Sequence, residues 1–208
     1  MVILTKMSIE ASAPRPTRVR RSPEAARENI LAAAEAILVE QGPQALKLAD
    51  VAKAAGVVHA NVIHHFGSIA GVETALMERM IRQLADKVIT GFNSGGAAPG
   101  FGAQALFEAF ETKGAARLAA WLELTGEGRR MTLVREVVDE IVQTRVAQEV
   151  GVEREAIVDF ILVNIILAVG VGLFGPTLSE LLGRPPERAR ELALEMVQGR
   201  ISALGSKG

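Results

Sequence analysis

Apolar residues recur along this chain with helical spacing, and no stretch alternates convincingly with the period of two that a half-buried strand needs. Ile30, Leu31, Ala34, Ile37 and Leu38 fall on one face of a first helix. Ser22-Pro23-Glu24 opens it, a capping residue followed by proline at the first helical position, and Gln41-Gly42-Pro43 stops it. A short second helix is predicted over 48–55, with Leu48, Val51, Ala52 and Ala55 on one side. Gly56 breaks the chain, and a third short helix runs from Val58 to His65. After Phe66-Gly67-Ser68, the four-residue spacing of Val72, Leu76, Met80, Leu84 and Val88 predicts a fourth helix over 69–90.

The remainder has the same character. Gly91 to Gly102, with Pro99, reads as a linker. Helices are expected at about 103–112 and 114–125, then a break at Gly126-Glu127-Gly128 and a long amphipathic helix over 129–150. A very apolar helix follows over 154–174, which Gly175-Pro176 is expected to interrupt. Pro185-Pro186 is expected to open a final helix whose Ala189, Leu192, Ala193, Met196, Val197, Ile201 and Leu204 form a packing stripe. The fold class is all-α.

Composition removes several function classes. The chain contains no Cys and no Tyr, which excludes disulfides, thiol nucleophiles and thiolate-ligated zinc, and fits a cytoplasmic setting. The N-terminus lacks the apolar run and small-residue cleavage site of a secretory signal. No glycine-rich loop follows a strand and no serine sits in a nucleophile elbow, so an enzyme is not expected, and neither is a cofactor. Charge is unevenly placed: residues 1–67 carry eight Lys/Arg against six Asp/Glu, whereas residues 91–208 carry twelve against fifteen. A basic front and an acidic back suit a protein that meets nucleic acid at one end only. Residues 1–22 read as a flexible basic tail with Lys6, Arg15, Arg18, Arg20 and Arg21, either an arm along DNA or a solvated terminus.

The three short helices before residue 67 have helix-turn-helix proportions. A helix at 48–55, a tight turn at Gly56 and a helix starting near Val58 can place the last of them in a major groove. Several side chains of this third helix have base-reading chemistry: Asn61 can bond bidentately to adenine, His59 or His64 can donate to guanine, and Ala60 and Ile63 suit thymine methyls. Three histidines within seven residues raise a metal reading, but on a helix His59 lies about 140° from His64 and about 120° from His65, so they do not converge.

The run Ile30-Leu31-Ala32-Ala33-Ala34, then Gln41-Gly42, Leu48-Ala49-Asp50-Val51-Ala52, Ala55-Gly56-Val57 and His64-His65-Phe66-Gly67-Ser68, resembles the TetR family of bacterial regulators, with the specific match covering about residues 27–80. The resemblance implies a helix-turn-helix DNA-binding domain over 23–68 and a helical ligand-binding and dimerisation domain over 69–208. It also implies a homodimer on a palindromic double-stranded operator, with the two third helices about one turn of DNA apart, ~34–36 Å. Carried over by position, His59, Ala60, Asn61, Ile63 and His64 would face bases, Lys47 and His65 phosphates, while Val57, Val62 and Phe66 would pack inward. The sequence departs from the family at four places. Lys47 replaces a capping hydroxyl, and lysine can still meet a phosphate but cannot cap by accepting a bond; Val58 replaces a polar helix opener, Ile63 a tyrosine with its hydroxyl contact to phosphate, and Ile69 a lysine with its charged one. The alternative is therefore a TetR-like dimer with weak DNA binding that acts through a ligand or protein partner.

In the C-terminal part, Phe107, Phe110, Trp121, Phe160 and Phe174 are candidates to line an apolar effector pocket, or are ordinary core. Asn164 stands in the apolar run from Phe160 to Phe174, and a buried amide needs a partner: a ligand, a symmetry-related helix or a neighbouring backbone carbonyl. The run Ala156–Gly175 is long enough to cross a bilayer, but Asp159, Asn164 and its glycines favour a helix buried in a dimer bundle, with no membrane partner.

Overall fold

A computed structural model describes residues 22–94, 98, 100–127, 133–148 and 153–205. The basic tail expected before Ser22 lies outside them. The described residues form α1 (Pro23–Gln41), a 3-10 turn (Pro43–Ala45), α2 (Leu48–Ala55), α3 (His59–Phe66), α4 (Ile69–Asn93), α5 (Phe101–Thr112), α6 (Ala115–Leu124), α7 (Leu133–Gln148), α8 (Arg154–Leu181) and α9 (Arg188–Gly205), with no strand among them. Ser22 caps α1 by accepting a hydrogen bond from the Ala25 amide at 3.1 Å, ahead of Pro23, as the sequence implies.

Three boundaries differ from expectation. Gly91 lies inside α4, which continues to Asn93, and α5 begins at Phe101, so the Gly-rich stretch is a shorter link than Gly91 to Gly102. Pro176 does not interrupt α8, which runs unbroken to Leu181. Proline removes one backbone donor and crowds the carbonyl of Gly172, a cost of about 3 kcal/mol that local signals alone do not offset. Here the helix packs along its length against α5, α6, α7 and α9, with Ala168, Gly175 and Ser179 buried on either side of the proline. The last helix starts at Arg188 rather than at Pro185-Pro186: the Arg188 amide bonds the Pro185 carbonyl at 3.0 Å in a turn that precedes it.

The main core joins the N-terminal helices to α4 and α6. Ile30, Ala34 and Leu38 of α1, Val51 of α2, Val62 of α3, Leu76 of α4 and Leu118 and Leu122 of α6 are fully buried together. Burial of each of these leucine, isoleucine and valine side chains contributes about 1.5–3 kcal/mol. Polar ties reinforce the joint: Arg79 of α4 pairs with Glu28 at 2.5 Å and Glu35 at 2.7 Å on α1, and Arg117 of α6 donates to the Val39 carbonyl at 2.9 Å. A second cluster, Phe107, Ala168 and Ala193, holds α5, α8 and α9. A third, Ala85, Leu133 and Val137, holds α7 to α4.

By length and composition α8 could cross a membrane, and most of its apolar stretch is not buried within the chain. Its inner face carries Ile157, Asn164, Ala168 and Ser179 into the bundle. On the outer side, Ile166 is 61% exposed, Phe174 59%, Leu181 76% and, on α9, Met196 67%. Of the predicted α9 stripe, Ala193 and Val197 are buried, whereas Leu192 and Met196 face outward.

Candidate nucleic-acid interface

The reading surface is built by a short turn between two short helices. The Gly56 amide bonds the Lys53 carbonyl at 3.2 Å and the residue adopts φ 65°, ψ 33°, a left-handed conformation open to glycine at no steric cost. Val57 then packs against the core, and Val58, 64% exposed, precedes α3 as its cap residue rather than as its first turn. α3 is anchored by Val62, which is fully buried, and by Phe66, which packs against the same core. With that face fixed, the 100° step between residues turns His59, Ala60, Asn61, Ile63 and His64 outward, and all five are exposed. His65 is half-buried, its ring 5.4 Å from that of His64 and 6.2 Å from that of Phe66.

The join to α4 is tight. The Ser68 hydroxyl caps α4 by accepting from the Gly71 amide at 3.1 Å. A Cβ at Gly71 would lie 2.0 Å from the Phe66 carbonyl oxygen, so only glycine lets the first turn of α4 close onto the end of α3. Ile69, where the resemblance leads one to expect lysine, packs against the core instead of reaching outward. Neither Lys47 nor Val58 makes a side-chain cap at the start of α2 or α3. Lys47 is exposed at the start of α2. Sequence reasoning missed two α1 side chains on this surface, Arg27 and Asn29. Asn29 donates to the Ala55 carbonyl at 2.7 Å, and Arg27 donates to the His65 carbonyl at 3.1 Å with its guanidinium over the Phe66 ring. The signal available for them was their polarity next to an apolar stripe, which does not identify a partner.

The aromatic candidates of the C-terminal part do not share one site. Phe107 is fully buried in the α5–α8–α9 cluster and Phe110 packs beside it. Trp121 donates its indole N–H to Glu73 of α4 at 3.1 Å. Burial pushes the Glu73 carboxyl above its ordinary range, with the Trp121 bond opposing and nearby Glu127 adding to the rise. Phe160 is half-buried and its carbonyl accepts from Asn164 Nδ2 at 2.7 Å, while Asn164 Oδ1 is buried with no hydrogen-bond partner among the described residues. Phe174 lies on the exposed side of α8. An open groove of about 530 Å³ lies elsewhere, on the N-terminal helices, floored by Ala33, Ile37 and Ala45 and edged by Glu40, Asp50 and Lys53. Among the described residues no group of three or more side chains could hold a metal ion.

A helix-turn-helix whose last helix leaves five side chains exposed, set on an all-helical bundle, is the architecture of a DNA-binding transcriptional regulator. Residues 30–75 match the model of the bacterial regulatory proteins of the TetR family. Solved structures extend the likeness over nearly the whole chain. A TetR-family transcriptional regulator from Streptomyces coelicolor is 19% identical with a TM-score of 0.55, covering 86% of this chain and 98% of its own. A transcriptional regulator from Rhodococcus sp. Rha1 is 24% identical with a TM-score of 0.53, covering 87% and 96%. The multidrug binding protein EbrR, complexed with imidazole, is 19% identical with a TM-score of 0.56, covering 82% and 93%. At these identities the likeness is one of fold. No curated protein matches the chain in sequence.

Proposed function

We propose that this protein is a sequence-specific repressor that binds a palindromic operator as a homodimer in the cytoplasm and is controlled by a small apolar effector. Residues 23–68 are assigned to DNA reading and 69–208 to effector binding and dimerisation. The observation that carries the reading is the placement of α3: Val62 anchors it while His59, Ala60, Asn61, Ile63 and His64 stand clear of the chain. Those five side chains take the base edges, and Lys47 and His65 the flanking phosphates. The exposed apolar side of α8 and α9 supports dimerisation through those helices, because a monomer would leave Ile166, Phe174 and Met196 in water. Asn164 Oδ1, buried with no partner among the described residues, supports an effector or water between α8 and its neighbours, since such an oxygen seeks a donor.

Communication between the two parts runs through α6. Its Leu118 and Leu122 are in the core of the DNA-reading helices, while the helix as a whole also packs on α8. An effector that favours one setting of α6 shifts the spacing of the two readers and so the operator affinity. The weak-binding alternative draws on the missing side-chain caps at Lys47 and Val58. Gel shifts with genomic fragments at increasing salt separate the two: selective, salt-sensitive complexes support the repressor, and their absence supports the alternative.

A further inference from the structure

Two side chains of α1 reach the ends of both helices of the reader. Asn29 Nδ2 bonds the Ala55 carbonyl at 2.7 Å, and Arg27 Nη1 bonds the His65 carbonyl at 3.1 Å. Ala55 and His65 each stand in the last turn of their helix, where carbonyls have no intrahelical donor and carry the negative end of the helix dipole. An amide and a cation are the groups such ends accept. Arg27 makes a second contact: its guanidinium carbon lies 4.4 Å from the centroid of the Phe66 ring, which itself packs against the core. The carbonyl thus fixes the direction of the guanidinium and the ring fixes its plane. Among the described residues the other end of α3 has no equivalent side-chain tie: Val58 offers no cap, and Val62 is the helix's buried residue.

We infer that Arg27 is a positioning residue for the reading helix. It sets the angle at which His59, Ala60 and Asn61 meet a duplex by holding the opposite end of α3, and it does so without touching DNA. Asn29 holds α2 in the same way. This inference rests on the DNA-reading function proposed above. The competing role for an exposed arginine here is a phosphate contact, and the two differ in salt dependence. Removing a phosphate contact shallows the slope of log affinity against log salt by about 0.9, whereas removing a positioning residue leaves the slope alone.

The test uses the full-length protein as wild type, Arg27→Met and Arg27→Lys. Each is titrated onto a selected operator duplex and its single-base variants over about 50–200 mM salt, and amide hydrogen exchange is followed without DNA. Arg27→Met is expected to bind every duplex about tenfold more weakly, as loss of one charge-assisted hydrogen bond implies, with an unchanged salt slope. Its amides at residues 63–67 should exchange several-fold faster than in wild type, while those at the centres of α1 and α4 do not change. Arg27→Lys should behave like Arg27→Met, since lysine keeps the charge but not the planar fork. A slope shallower by about 0.9, full rescue by lysine, or unaltered exchange in α3 would overturn the inference. If the wild type selects no duplex, the DNA-reading proposal falls, and the exchange result alone decides whether Arg27 holds α3.

Discussion

The reader and the α8–α9 pair treat apolar surface in opposite ways. In the reader, α2 and α3 have only eight residues each, yet Ile30, Leu38, Val51 and Val62 are covered completely, with α4 and α6 closing the core. What remains outside α3 is polar apart from Ala60 and Ile63. In α8 and α9 the inner face is covered, but Leu162, Ile166, Phe174, Leu178 and Met196 stay in solvent. One region is finished within a single chain and offers polar groups to a polar partner. The other is finished only by more apolar surface, for which a second copy of the same helices is the simplest source.

The contrast breaks most sharply at the apolar face. Phe174→Glu puts a charge where the dimer proposal buries a ring, and is expected to weaken self-association by about 4 kcal/mol or more. Sedimentation should then show monomer where wild type is dimeric, and an unchanged assembly would locate the dimer surface elsewhere. Leu118→Ala opens a cavity where α6 enters the reader core and is expected to cost about 2–5 kcal/mol in denaturant unfolding. A cost confined to the C-terminal helices would show that the core is not shared. Asn61→Ala leaves the fold intact and should lose about 1–3 kcal/mol of affinity at one base position only. An isotherm identical to wild type would remove Asn61 from the reading set.

The smallest effect concerns Glu73. Burial holds its carboxyl above the unfolded value, so the folded state keeps this proton more tightly than the unfolded chain does. Its protonated form therefore stabilises the fold below the unfolded pKa, and that stabilisation is lost as pH rises through the folded value. Chemical unfolding of wild type and Glu73→Gln across pH 4 to 8 should show the wild type gaining relative to the variant as pH falls. The opposite trend would mean that the ionised form is the preferred one in the α4–α6 joint.

The reader was legible because its signals are local. Ser22-Pro23 as a start, Gly42 and Gly56 as stops, and the spacing of Ile30, Ala34 and Leu38 each act within a turn or two, and the helices stand where those residues put them. Pro176 was misread for the converse reason. A proline's local cost is readable, whereas the packing of α8 on four other helices that offsets it is not. Arg27 and Asn29 were illegible in the same sense, since their acceptors lie 38 and 26 residues away along the chain. Of the proposed site, the outward residues of α3 come from the family resemblance by position, and helix periodicity about the buried Val62 accounts for their exposure. The aromatic candidates did not assemble, because residue type says nothing about which side of α8 faces the bundle.

The claim on which most depends is that two copies of α3 read one duplex, and selection of bound sequences from a randomised pool by the full-length protein tests it most directly. Enrichment of a palindrome whose half-sites lie about 10–10.5 base pairs apart is expected, with affinity falling steeply as salt rises. Recovery of unenriched sequence, or of half-sites whose spacing varies freely, would contradict it.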